Sequence, residues 1–256
     1  MLRAGWARGR SAGADPAFTL AWVHAAAALV QGTGGEQPFQ HTFDVVGMLE
    51  DTARRFPGHS ELSLSRALIL SRLVHVNAAE GWFSSGGRQY LARLGRTGDP
   101  WPADNLADAI KRFLPLQGDP AVRTEATLQL GYLKGLEGRS QEAVRLLTRL
   151  ETLTTDPWLL FLGRFFQGQI LTSLRQYSDA GRSLERALEI YPHADSARRA
   201  LAALRYVDGD RAAAIRLLDN PPGQATGVDA DPWPWFAYGE YRQWPARLAR
   251  VRSLLP

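Results

Sequence analysis

Between Asp156 and Pro192 small and apolar residues recur at helical intervals, pause, and recur again. Gly168 and Leu171 are three apart; Ala180, Leu184 and Ala187 are four and three apart. Each set lies on one face of a helix. Asp156 and Pro157 predict a cap and a first turn. A first helix follows through Leu174, Gln176 marks a turn, and a second runs from Ser178 to Tyr191. Pro192 ends it, because proline has no N–H and disfavours helix in the residue before it.

The same pattern returns on either side. Ala202, Ala214 and Leu218 stand 34 residues after Gly168, Ala180 and Leu184, and Gly131, Ala143 and Leu147 stand 37 before. A fixed period of this size predicts stacked helical hairpins. Small residues sit where helices cross closely: Gly131, Ala143, Gly168, Ala180, Ala187, Ala202 and Ala214, with Leu184 filling the space between and Pro192 closing the hairpin. Leu150 stands at the second alanine position of the preceding hairpin, and three extra residues near Leu153–Thr155 explain the longer step.

Upstream the period blurs. Ala17–Val30 with Phe43–Phe56, and Glu61–Asn77 with Asp104–Leu114, read as two degenerate hairpins. Between the last two lies an insertion, 78–103, rich in glycine and carrying Trp82, Phe83, Tyr90 and Trp101; loops this long often carry function. The expected organisation is therefore 1–119, a three-hairpin block over 120–220, and an aromatic loop with a capping helix over 221–256. Strand alternation is absent, so the expected class is all-α.

Residues 121–220 resemble the tetratricopeptide repeat family, which prefers glycine, alanine, a large apolar residue, alanine and proline at the five places held by Gly168, Ala180, Leu184, Ala187 and Pro192. The closing Asp231-Pro232-Trp233-Pro234-Trp235 is similar to bacterial tetratricopeptide proteins associated with von Willebrand factor A-type domain proteins. The resemblance implies a right-handed α-solenoid that binds a protein or peptide along its concave face. By position it implies a lining of Glu125, Leu128, Tyr132 and Gly135, then Leu162, Phe165, Gln169 and Thr172, then Ser196, Arg199, Ala203 and Tyr206. This set lacks the lysines and asparagine that clamp a terminal carboxylate, so an apolar or amphipathic segment fits better.

The aromatic tail allows two readings. A solenoid must cover the apolar face of its last repeat, which makes the tail a cap. Alternatively Trp233, Trp235, Phe236 and Arg242 form an outward docking patch, since aromatics and arginine are enriched at interface hot spots.

Composition adds limits. The chain has 256 residues, 45% hydrophobic and 22% charged, which is ordinary for a folded protein. It has no cysteine, which excludes disulfides and thiolate chemistry. The net charge of +4 comes from scattered arginines rather than a dense stripe, so nucleic acid is not the expected partner. The run Ala17–Val30 is 14 residues long, short of the about 20 a membrane span needs. Asp15 and Pro16 make it a helix start, while Arg3, Arg8 and Arg10 before it leave a signal-peptide reading open, and with it a cytoplasmic or periplasmic compartment.

No chemistry is expected. His24, His41, His59, His75 and His193 have no metal-ligand spacing, Ser84 and Ser85 lack a nucleophile-elbow pattern, and Gly32–Gly35 lacks the lysine of a phosphate loop. Asp229 and Asp231 read as loop carboxylates. The expected function is a protein-interaction scaffold without cofactor, metal or catalytic residues. The alternatives are an enzyme using the insertion, or a nucleic-acid-binding protein, on the same helical-repeat scaffold.

Overall fold

A computed structural model describes residues 16, 19, 48, 50–68, 71, 106–219 and 231–237. The chain divides into two compact units, Met1–Arg112 with Gly239–Pro256, and Phe113–Tyr238. The described residues of both are helical or in turns, with no strand among them. The insertion 78–103, Arg242 and the expected helix Trp244–Leu255 lie outside the described residues.

In the first unit, residues 50–55 and 60–68 are helical and Pro57-Gly58 turns between them. Gly58 has φ 78°, a left-handed conformation that glycine adopts without strain. His59 is a structural histidine: its Nδ1 accepts from the Leu62 N–H at 3.4 Å in the first turn of the second helix. Leu62, Leu64, Ala67 and Leu68 are buried. Helix α1 spans Leu106–Phe113.

The second unit holds three hairpins. They are α2 (Arg123–Leu136) with α3 (Ser140–Leu153), α4 (Pro157–Ser173) with α5 (Tyr177–Ile190), and α6 (Asp195–Val207) with α7 (Arg211–Asp219). A short helix, α8 (Pro232–Ala237), follows. Asp156 caps α4 as the sequence predicts, its carboxylate accepting from the Trp158 N–H at 3.0 Å.

The period has a direct steric cause. A Cβ placed on Gly131 would stand 2.5 Å from Leu147 Cδ2, and one on Gly168 would stand 2.6 Å from Leu184 Cγ. The same glycine–leucine pair recurs at the same separation in both hairpins, because each second helix presses its leucine onto the backbone of the first. Ala143, Ala180 and Ala187 are fully buried at the same crossings, and Ala202 and Ala214 are nearly so.

The hairpin turns repeat as well. Gly138, Arg175 and Gly209 share one position in the period, and all three are left-handed, with φ 83°, 60° and 95°. At Arg175 the motif closes with the Gln176 N–H donating to the Leu171 carbonyl at 2.9 Å and the Arg175 N–H to the Thr172 carbonyl at 3.0 Å. At Gly138 the same two bonds run from Arg139 to Lys134 and from Gly138 to Gly135.

Polar links tie neighbouring helices. The Gln167 amide on α4 donates to Thr148 Oγ1 on α3 at 2.9 Å, and its carbonyl accepts from Arg164 and from Ser183 of α5. Lys134, buried near the end of α2, faces Glu137 at 3.5 Å and Glu142 of α3 at 3.7 Å. That pairing satisfies a charge which would otherwise be costly to bury.

Candidate functional site

The first helices of the three hairpins, α2, α4 and α6, carry the expected binding residues. Glu125, Leu128 and Tyr132 lie on α2, Phe165, Gln169 and Thr172 on α4, and Arg199 and Tyr206 on α6. The structure separates them into two groups.

The first group is in the core or packed against it. Leu128 and Phe165 are only 1% and 2% exposed, and Tyr132 packs against Phe166, with ring centroids 4.7 Å apart. As open groove lining, Leu128 and Phe165 must be corrected: both belong to the buried core, and Trp233 of the tail lies against Phe165. Burial also holds the Tyr132 phenol neutral, raising its pKa from the usual 10 to about 12.

The second group is exposed or half-buried. Gln169 and Arg199 are exposed, and Thr172 is half-buried with its hydroxyl turned back to the Gly168 carbonyl at 2.8 Å. Arg199 is ion-paired with Asp195 one turn earlier on its own helix. Tyr206 is 58% exposed, with the Arg211 guanidinium 5.6 Å from its ring centre. Glu125 is half-buried in the first turn of α2.

What covers the inner group is the chain's own tail. Trp233 and Phe236 of α8 meet α4 and α2. Trp233 lies 5.4 Å from Phe165 and 5.7 Å from Phe166. Phe236 lies 5.0 Å from Phe166, 5.3 Å from Tyr132 and 6.4 Å from Trp158. Such tilted and edge-on contacts between aromatic rings add to the burial energy.

A carboxylate joins the segment to the third hairpin. Asp231 accepts from the Ser196 N–H at 2.7 Å, from the Ser196 hydroxyl at 2.7 Å, and from the Trp233 N–H at 3.1 Å. It thus caps α8 and satisfies the first turn of α6 together, where negative charge is favoured. Residues 231–236 therefore touch the first helix of all three hairpins.

Two expectations about the tail change. Phe236 is 6% exposed and Trp233 half-buried, so they are not an outward docking patch. Nor do these two rings cover the outer apolar residues of the last hairpin; the expected capping helix lies outside the described residues. Ile215 and Leu218 on α7 are 57% and 53% exposed, and Val207 at the end of α6 is 59% exposed. Trp235 lies on α8, between Trp233 and Phe236. Asp231, expected as an idle loop carboxylate, is a three-way acceptor. One signal could have revealed it: Asp-Pro-Trp occurs three times, at Asp99, Asp156 and Asp231, and the last two lie among the described residues. In both of these the aspartate accepts from the tryptophan N–H, at 3.0 and 3.1 Å. Phe166 and Trp158, the other walls of the cluster, fall outside the lining positions that the resemblance implies.

Among the described residues no group of three or more His, Cys, Asp or Glu could hold a metal, and no helix is long and apolar enough to cross a membrane.

Comparison with known proteins gives little at the level of sequence: no family model matches the chain, and no curated protein matches it. Among solved structures, a crystal structure of MamA is similar at 15% identity over 70% of this chain and 86% of its own, with a TM-score of 0.49. A structure described as MamA MSR-1 C2 is similar at 17% identity over 78% and 92%, with a TM-score of 0.46. A further MamA crystal structure is similar at 16% identity over 76% and 88%, with a TM-score of 0.47. These likenesses are loose, and the repeated hairpin geometry carries the fold without them: an all-α, tetratricopeptide-like stack of helical hairpins.

Proposed function

We infer that the protein is an interaction scaffold whose first-helix face, formed by α2, α4 and α6, binds a segment of another protein. One observation supports this above the others. The face already holds a chain segment, residues 231–236, through a carboxylate on Ser196 and two aromatic side chains on Phe165, Phe166 and Tyr132. A surface that accepts one such segment has the chemistry to accept another, in the manner of a helix laid in a groove. The tail on which the narrower resemblance to von Willebrand factor A-associated proteins rests is the same segment, so a partner from that group is the finer form of this reading.

The test uses the exposed part of the face, since Phe165 and Leu128 cannot be altered without disturbing the core. Gln169 follows Phe165 by one helical turn on α4 and is exposed, whereas Arg186 is exposed on the second helix α5. A photo-crosslinking residue at Gln169 is expected to capture a discrete protein in cells, and the same residue at Arg186 is not. Equal capture at both positions, or none at Gln169, would remove the face as the binding surface.

A further inference from the structure

Residues 231–236 belong to none of the three hairpins. Their helix, α8, has 6 residues, far below the about 12–15 at which a helix is stable alone in water. What orders it is the face it lies on. It follows Asn220–Ala230, an 11-residue stretch with two prolines and two glycines. Its rings lie on α4 and α2, while Ile215 and Leu218 of α7, the helix before it in sequence, stay exposed. The choice is explained by matched chemistry. Asp231 meets two donors at Ser196, Trp233 meets Phe165 and Phe166, and Phe236 meets Phe166, Tyr132 and Trp158.

We propose that residues 231–236 are an internal occupant of the binding face, and that the partner displaces them with a helical turn of the same chemistry. That turn carries a carboxylate at its cap and aromatic residues two and five positions later. This rests on the reading of the face as a binding surface. A tethered occupant competes at an effective concentration of order millimolar. The affinity of the partner is reduced by the fraction of time the face is closed. The tail thus sets a threshold that weakly matched segments do not pass.

The probe is a fluorescent, end-blocked peptide with the sequence of residues 229–238, titrated by anisotropy into the full chain. Trp233→Ala with Phe236→Ala, made together in the full chain, should bind it about tenfold or more tighter than the unaltered chain does. A peptide altered at its own Asp231 position should bind about tenfold weaker, and one altered at both aromatics should not bind. Equal affinity of both chains for the peptide, or binding by neither, overturns the proposal. Helical circular dichroism establishes that the double variant is folded. If it is not, Asp231→Asn replaces it: the rings stay in place, the carboxylate is lost, and several-fold tighter peptide binding is still required. A concentration-dependent dimer of the unaltered chain that the double variant abolishes would make the occupant a second copy and overturn the proposal too. Crosslinking from Gln169 separates the two readings. Equal capture of a partner by the unaltered chain and the double variant ends the internal occupant and keeps the binding face. Tighter peptide binding with no capture at Gln169 in cells does the reverse.

Discussion

The central and last hairpins are built on one pattern and end in different environments. In α4–α5 the pair Gly168 and Leu184 is sealed, with Leu184 1% exposed. In α6–α7 the equivalent pair is Ala202 and Leu218; Ala202 is buried, but Leu218 is 53% exposed. The same spacing folds both hairpins. What differs is what lies on each side: α4–α5 has hairpins before and after it and the aromatic tail on its first helix. The last has a described neighbour on one side. Even the small residue reports the difference. Position 202 carries an alanine, while at position 168 a methyl group would meet Leu184 at 2.6 Å.

The largest expected contrast follows from this. Leu184→Ala should cost about 3 kcal/mol, the loss for a buried leucine that leaves a cavity. Leu218→Ala should cost about 0.5 kcal/mol or less, as surface changes do. Denaturant midpoints of the two variants test it, and similar losses would mean that the last hairpin is covered in solution. Next is the dryness of the central cluster. Tyr132 ionises at about 12 when folded and near 10 when unfolded, so the unfolded chain loses its proton first as pH rises. The stability this contributes is complete below pH 10 and lost as pH rises through about 12. Two units correspond to about 3 kcal/mol at most. Melting temperatures from pH 9 to 11.5 should fall more steeply for the unaltered chain than for Tyr132→Phe; parallel curves would mean that the phenol is wet.

A smaller effect is expected at the crossing itself. Gly168→Ala gains about 1 kcal/mol of helix propensity but overpacks Leu184, at a cost of about 1–3 kcal/mol. A net loss of about 1 kcal/mol should appear in urea unfolding, and a gain would show that Leu184 moves aside freely. The smallest effect has the opposite sign. Arg175 holds the left-handed turn that Gly138 and Gly209 hold in the flanking hairpins, at a steric cost of about 1–2 kcal/mol. Arg175→Gly gives back part of this to the greater freedom of the unfolded chain, so it should stabilise the protein by about 0.5 kcal/mol. Gly209→Ala should destabilise it.

The hairpin block was legible because each of its rules is local or periodic. Helices α4 and α5 begin and end within a residue or so of where Asp156, Gln176 and Pro192 place them. The glycines and alanines at the crossings are buried as their spacing requires. The candidate face was legible only as a list of positions. Helical spacing tells that Phe165 and Gln169 share a side of α4, but not that Phe165 is closed over and Gln169 left open. Nothing in the period separates Leu218 from Leu184.

The fate of the tail required the folded chain. Asp231 and Ser196 are 35 residues apart, and Phe236 and Tyr132 meet from opposite ends of the hairpin block. Caps, turns and helix faces are decided over a few residues of contiguous chain, so the order of residues settles them. Which surface an aromatic segment covers depends on all the surfaces within its reach and on the donors beside each. That competition is resolved only when the three hairpins have stacked and brought α2, α4 and α6 to one side.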